Sequence, residues 1–195
     1  MLAKFLGLVL MVDFMRHELL LIYGFVLLLV WSASVWDLRQ RRIPNALVLA
    51  GAVVGVLLQG ALSGSGGALA AIHGLLVGLA ILIPGYLMGF TGAGDAKLMA
   101  AVGTFLGPLG AFQAGLVSII FGGIIGILFA ATALFNKSSV SPLGRYRLMV
   151  ETLVVTGKPF YIAPKKGEVM GKRFPFAVSI ALGTTAWIFW QWSLG

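Results

Sequence analysis

Six carboxylates occur in the 195 residues, and four of them have ordinary solvated settings. Asp13 and Glu18 precede the first long apolar run, and Glu151 and Glu168 belong to a basic segment. Asp37 and Asp95 are different. Asp37 closes an apolar run and opens DLRQRRIPN (37–45); Asp95 stands in TGAGDAKLMAAVG (91–103), directly after the uncharged run 68–90. Carboxylates so close to long apolar segments are costly and are candidates for function. Each has a plain structural role available. Asp37 could pair with Arg39 or Arg41, which contributes little if the pair is exposed. Asp95 could be the N-cap of AKLMAAVG. Neither role explains Gly92 and Gly94, which allow φ > 0 and close approach of another backbone.

Other chemistries are thin in this sequence. Absence of cysteine excludes thiol catalysis, disulfides and cysteine-based zinc sites. The two histidines, His17 and His73, stand alone, and His73 reads as a packed or hydrogen-bonded helix residue. No HExxH, P-loop or GxGxxG pattern is present, so neither a metal nor a cofactor is expected. Two aspartates brought together can hydrolyse a peptide bond. Like charges about 3 Å apart cannot both ionise easily, so such a pair shares one proton and titrates as a unit. The ionised member takes a proton from water, and the protonated member supports the scissile carbonyl oxygen as charge develops. A proton or cation relay in a transporter is the alternative use of paired carboxylates in a membrane. A non-catalytic assembly subunit acting through its basic loop is a third reading.

The elements that must position the two aspartates follow from composition. Hydrophobic residues make up 59% and charged residues 10%, with mean hydropathy +1.02. Soluble domains carry about a quarter charged residues, so the chain reads as an all-α polytopic membrane protein. The apolar runs predict six transmembrane helices in one bundle, at about 19–36, 46–62, 68–90, 96–110, 113–135 and 174–192. SGSGG (63–67) connects the second and third, and GPLG (107–110) is the expected turn after the fourth. WIFWQW (187–192) has the character of an interfacial aromatic belt. Residues 1–18 read as an interfacial helix or a lead-in to the first span, with an uncleaved anchor as the alternative.

Charge orients this map. Of 14 basic residues, all but Lys4 and Arg16 follow odd-numbered spans: Arg39, Arg41 and Arg42, then Lys97, then eight in the loop 136–173. The positive-inside rule places these segments, and with them Asp37 and Asp95, at the cytoplasmic face, with both termini outside. The formal charge of +8 then reflects anionic lipid rather than nucleic acid, for which no binding module is present. Pro142, Gly144, Gly157, Pro159, Pro164 and Gly167 argue against one long helix in the loop, and Leu148–Val155 reads as a short amphipathic surface element.

DLRQRRIPN (37–45) and GAGDAK (92–97) resemble the two signature segments of the type IV prepilin peptidases, membrane aspartyl proteases of the GxGD type. RFPFAVSIALG (173–183) is similar to the opening of that family's last helix, departing at Ala177 where glycine is common. The resemblance implies that Asp37 and Asp95 form the catalytic dyad on the cytoplasmic side of the bacterial inner membrane. It implies that Gly92 and Gly94 shape the site, that Lys97 is a supporting cation, and that Arg39, Pro44 and Asn45 build the turn of the first aspartate. The implied substrates are prepilins with short basic leaders, and contact with the pilus assembly machinery follows from that role. Larger members carry a cytoplasmic region with Cys-x-x-Cys pairs associated with N-methylation. This cysteine-free chain looks instead like the short, peptidase-only branch serving Flp pili, and cleavage without methyl transfer is the expectation.

Overall fold

A computed structural model of the chain describes residues 2–135 and 176–194, with side chains for 17–128, 131 and 176–193. The fold is helical throughout the described residues: α1 (Leu2–Gln40), α2 (Asn45–Leu87), α3 (Ala93–Phe135) and α4 (Phe176–Leu194). By its contacts the chain divides into two units. The first comprises Met1–Gly122 and Pro175–Gly195. The second, Gly123–Phe174, includes the last turns of α3. The basic loop 136–173 and its proposed amphipathic element lie outside the described residues.

Three stretches are long and apolar enough to cross a membrane: His17–Gln40, Asn45–Leu87 and Ala93–Leu128. Three stretches qualify where six crossings are expected; α4 is helical at the place of the sixth but is not one of the three. Two of the stretches are broken. At 1.5 Å per residue, the 43 residues of α2 would extend about 65 Å if straight, twice the thickness of a hydrocarbon core. Ser63 and Gly64 leave helical geometry, Gly64 with φ 63° and ψ −151°. The chain doubles back there: a Cβ on Gly67 would collide with the carbonyl oxygen of Gln59, which a continuous helix would keep far away. The break occupies only the first two residues of SGSGG; the other three are already helical. In α3 the break is at Gly107, with φ 69° and ψ −178°, followed by Pro108. The second arm of α3 therefore starts inside the expected GPLG turn, since proline is accepted at the first position of a helix.

Small residues set the packing. A Cβ on Gly74 would strike the backbone of Gly103, and one on Gly103 would strike that of Gly74. Gly78 lies in the same way against the Met99 carbonyl. The second arm of α2 thus runs antiparallel to the first arm of α3 with the two backbones in contact, an approach that larger side chains would prevent. Ser118 against Gly183 and Phe176 against Gly122 set α4 antiparallel to the second arm of α3, and α1 packs on both α2 and α4. Trp187 faces inward: its indole N–H donates to Gln113 Oε1 at 3.0 Å, and its ring meets Tyr23 edge-on at 6.4 Å. Only Phe189, Trp190 and Trp192 of WIFWQW are exposed. His73 is exposed as well, not packed as its sequence setting suggests. Large apolar side chains such as Leu28, Leu57, Leu69, Leu76 and Ile120 point outward, as expected of a surface that meets lipid.

Candidate active site

These helix directions bring five chain ends to one end of the fold. They are the close of α1, the start of α2, the turn from α2 to α3, the start of α3 and the start of α4. Asp37 and Asp95 belong to this end and are among its few buried charged groups, 8% and 7% exposed. Although 58 positions apart in sequence, they are near enough for Asp37 to act electrostatically on Asp95.

Asp95 is built by its own turn. Helix α2 closes with the Phe90 N–H donating to the Gly85 carbonyl (2.8 Å) and the Gly89 N–H to that of Tyr86 (3.0 Å). Gly89 has φ 78°. This is a Schellman closure, with glycine at its left-handed position, and it feeds Thr91 and Gly92 into the next helix. Gly92 precedes the first residue of α3, so Asp95 is the third helical residue and not the N-cap considered from the sequence. Its carboxylate turns back: the Gly92 N–H donates to Asp95 Oδ2 at 2.7 Å, while the Asp95 N–H donates to the Gly92 carbonyl at 3.1 Å. The exchange resembles a capping box, with aspartate in the place of glutamate. A carboxylate in the first turn of a helix is also favoured by the helix dipole.

Neither glycine of the motif has positive φ; among the described residues the glycines that do are Gly64, Gly89 and Gly107. Conformational freedom is therefore not what Gly92 and Gly94 supply here. Space is what Gly92 supplies, because a Cβ there would lie 3.1 Å from Asp95 Oδ2. Gly94 faces Ile43, and a Cβ would meet that side chain at 3.4 Å, an ordinary contact.

Asp37 is held from two directions. The Ala177 backbone hydrogen-bonds its carboxylate, using an N–H in the first turn of α4 that no intrahelical carbonyl accepts. Ser34, one turn before Asp37, donates to the Ala177 carbonyl at 2.9 Å and to the Val30 carbonyl at 2.8 Å. Alanine supplies the same backbone groups as the glycine common at this place in the resembled family. On the other side, Arg41 acts electrostatically on Asp37. Arg41 has φ 55°, the left-handed region, and its N–H donates to the Asp37 carbonyl at 2.7 Å. This strained corner ends α1 and turns the chain towards Pro44, which caps α2 with φ −63° and ψ 127°.

The remaining expected site residues divide. Pro44 and Asn45 form the start of α2, as the turn requires. Arg39 is exposed, and Arg41 supplies the cation that bears on Asp37. Lys97 donates to Asn45 Oδ1 at 3.3 Å, which joins the two signature segments at a point away from Asp95. No group of three or more potential metal ligands occurs among the described residues. Sequence reasoning missed Ser34 and Ile43, which carry no local signal, and Gly89, whose place just after a long apolar run is a recognisable helix-stop signal.

Helical throughout its described residues, with three membrane-length apolar stretches and two buried carboxylates at one end, the chain has the make-up of a membrane protein. Residues 22–127, more than half of the chain, match the type IV leader peptidase family. The chain belongs to that family, and so to the peptidases. No curated protein and no solved structure matches it significantly.

Proposed function

We propose that this protein is a membrane aspartyl endopeptidase of the GxGD type that removes the short leader from Flp-type prepilins. Asp37 and Asp95 are its dyad. The observation that carries this reading is that two buried carboxylates from distant segments lie near enough for one to act electrostatically on the other, each held by a backbone N–H from a helix start. One proton is shared between them. The ionised carboxylate takes a proton from water, and the resulting hydroxide attacks the scissile carbonyl carbon. The protonated carboxyl gives its proton to the carbonyl oxygen as the tetrahedral intermediate forms. Collapse of that intermediate breaks the C–N bond: the proton held by the first carboxyl passes to the leaving amine, and the second carboxylate takes a proton from a hydroxyl of the intermediate, which restores the singly protonated pair. Products are a leader carboxylate and a free amino terminus, with one water consumed and no cofactor used.

In this reading α1, both arms of α2, both arms of α3 and α4 cross the bacterial inner membrane. The dyad end faces the cytoplasm, where the basic residues gather. N-methylation is not part of the activity, in keeping with the absence of cysteine from the 195 residues. Co-expression with candidate prepilins tests the proposal. Wild type should produce the mass loss of the leader, and Asp95→Ala should leave the prepilin intact while accumulating in the membrane. Unchanged processing by Asp95→Ala would remove the dyad. Ion-driven flux in proteoliposomes that disappears in Asp95→Asn, without any cleavage, would make the protein a transporter.

A further inference from the structure

Asp95 and Lys97 are two residues apart on one helix, which turns their side chains about 200° from each other. Asp95 points into the protein and Lys97 is exposed. Lys97 heads a separate space, an open cleft of about 510 Å³ between the two arms of α2 and the first arm of α3. Its mouth holds Lys97 and Asn45, and below them the walls are apolar, with Leu49, Ala52, Leu79 and Ala101 among them. From Asn45 to Ala52 the cleft follows α2 for about 10 Å.

The distribution of charge restricts the occupant. Among the described residues no acidic side chain lines the cleft, so the ammonium at its mouth faces no counter-charge from these walls. Asn45 accepts from Lys97 through its oxygen, which leaves its NH₂ as a second donor. A cation and an amide donor side by side suit a phosphate oxygen. The apolar walls below suit an acyl chain, which asks for no hydrogen-bond partner. We propose that this cleft is a specific site for one anionic phospholipid, its phosphate on Lys97 and Asn45 and one acyl chain along Leu49, Ala52, Leu79 and Ala101. A lipid seated there bridges the first residue of α2 to the first turns of α3, the two segments that carry the site. The inference is independent of the peptidase reading.

The test is native mass spectrometry of the full chain in detergent, with phosphatidylglycerol and phosphatidylcholine of matched acyl chains. Wild type should retain one phosphatidylglycerol, favoured over phosphatidylcholine by about fivefold, the contribution of one cation near an anionic headgroup. Lys97→Gln should abolish the preference, and Ala52→Phe, which fills the cleft, should abolish retention of both lipids. Arg42→Gln removes an exposed cation outside the cleft lining and should change neither. Equal retention of the two lipids by wild type, or loss in Arg42→Gln as large as in Lys97→Gln, overturns the proposal. A photoreactive residue at position 49 should label lipid; labelling the apolar helix of a co-expressed prepilin instead would assign the cleft to the substrate and also overturn it.

Discussion

The Gly92 N–H donates to Asp95 Oδ2 at 2.7 Å, and a side chain on Gly92 would begin 3.1 Å from that same oxygen. The first glycine of the motif is thus both partner of the carboxylate and the reason it can lie flat against the turn. The second glycine has no such role in this conformation. Gly92→Ala should therefore lower leader cleavage by at least about tenfold, the effect of disturbing one positioned group by about 1.4 kcal/mol. Gly94→Ala, which adds only an ordinary contact with Ile43, should stay within about threefold of wild type. Processing rates of a co-reconstituted prepilin separate the two. Equal loss in both variants would mean that Gly94 is needed in a conformation reached only with substrate.

Asparagine at either aspartate keeps the shape and a hydrogen-bond acceptor for Gly92 or Ala177 but cannot exchange the proton. Asp37→Asn and Asp95→Asn should each reduce cleavage by about 10²–10⁴ or more while thermal stability stays near wild type. With the pair intact, the rate should fall on both sides of an optimum. Full protonation removes the base and full ionisation removes the acid. A rate that only rises with pH would point to a single carboxylate at work.

Arg41 combines two effects that substitution can separate. Its backbone is left-handed, φ 55°, a region costing an L-residue about 1–2 kcal/mol. Its charge bears on Asp37. Arg41→Gly should hold or raise the melting temperature yet impair cleavage, whereas Arg41→Lys should retain most of the activity. Arg41→Val should lose stability, because a β-branched residue is poorly accepted at positive φ. Thermal melts beside processing rates give both readings, and full activity in Arg41→Gly would free the site of any need for this cation.

Much of this arrangement is legible in the sequence because bilayer length and apolar runs are strong signals. The interruptions near Ser63 and Gly107 can be located from glycine and proline alone, and counting segments brings Asp37 and Asp95 to one end. What stays hidden depends on rotation about a helix axis. Nothing local in GAGDAK tells that Asp95 is the third residue of its helix, or that Lys97 turns away from it to Asn45. The use of Ala177 is hidden for another reason. Its contribution is a backbone N–H, which any residue but proline supplies. Arg41 in place of Arg39 reflects the left-handed corner, a feature that a run of three arginines gives no means of placing.

The break in α3 interrupts the helical hydrogen-bond ladder, and a buried carbonyl there needs another donor. Gly107 departs from helical geometry between the Phe105 carbonyl and Leu109, whose N–H would serve it in an unbroken helix. Gln59 Nε2 donates to that carbonyl from the first arm of α2, just before the break at Ser63 and Gly64. One side chain thereby ties together two interrupted helices at the end of the fold away from the aspartates. Gln59→Leu preserves bulk and removes the donor, leaving a buried carbonyl unsatisfied at a cost of about 1–3 kcal/mol. The expected result is a clear drop in unfolding midpoint, followed by SDS titration of the purified protein, with leader cleavage per folded molecule unchanged. An unaltered midpoint would mean that the carbonyl finds another donor, and that the tie between the arms rests on the glycine contacts alone.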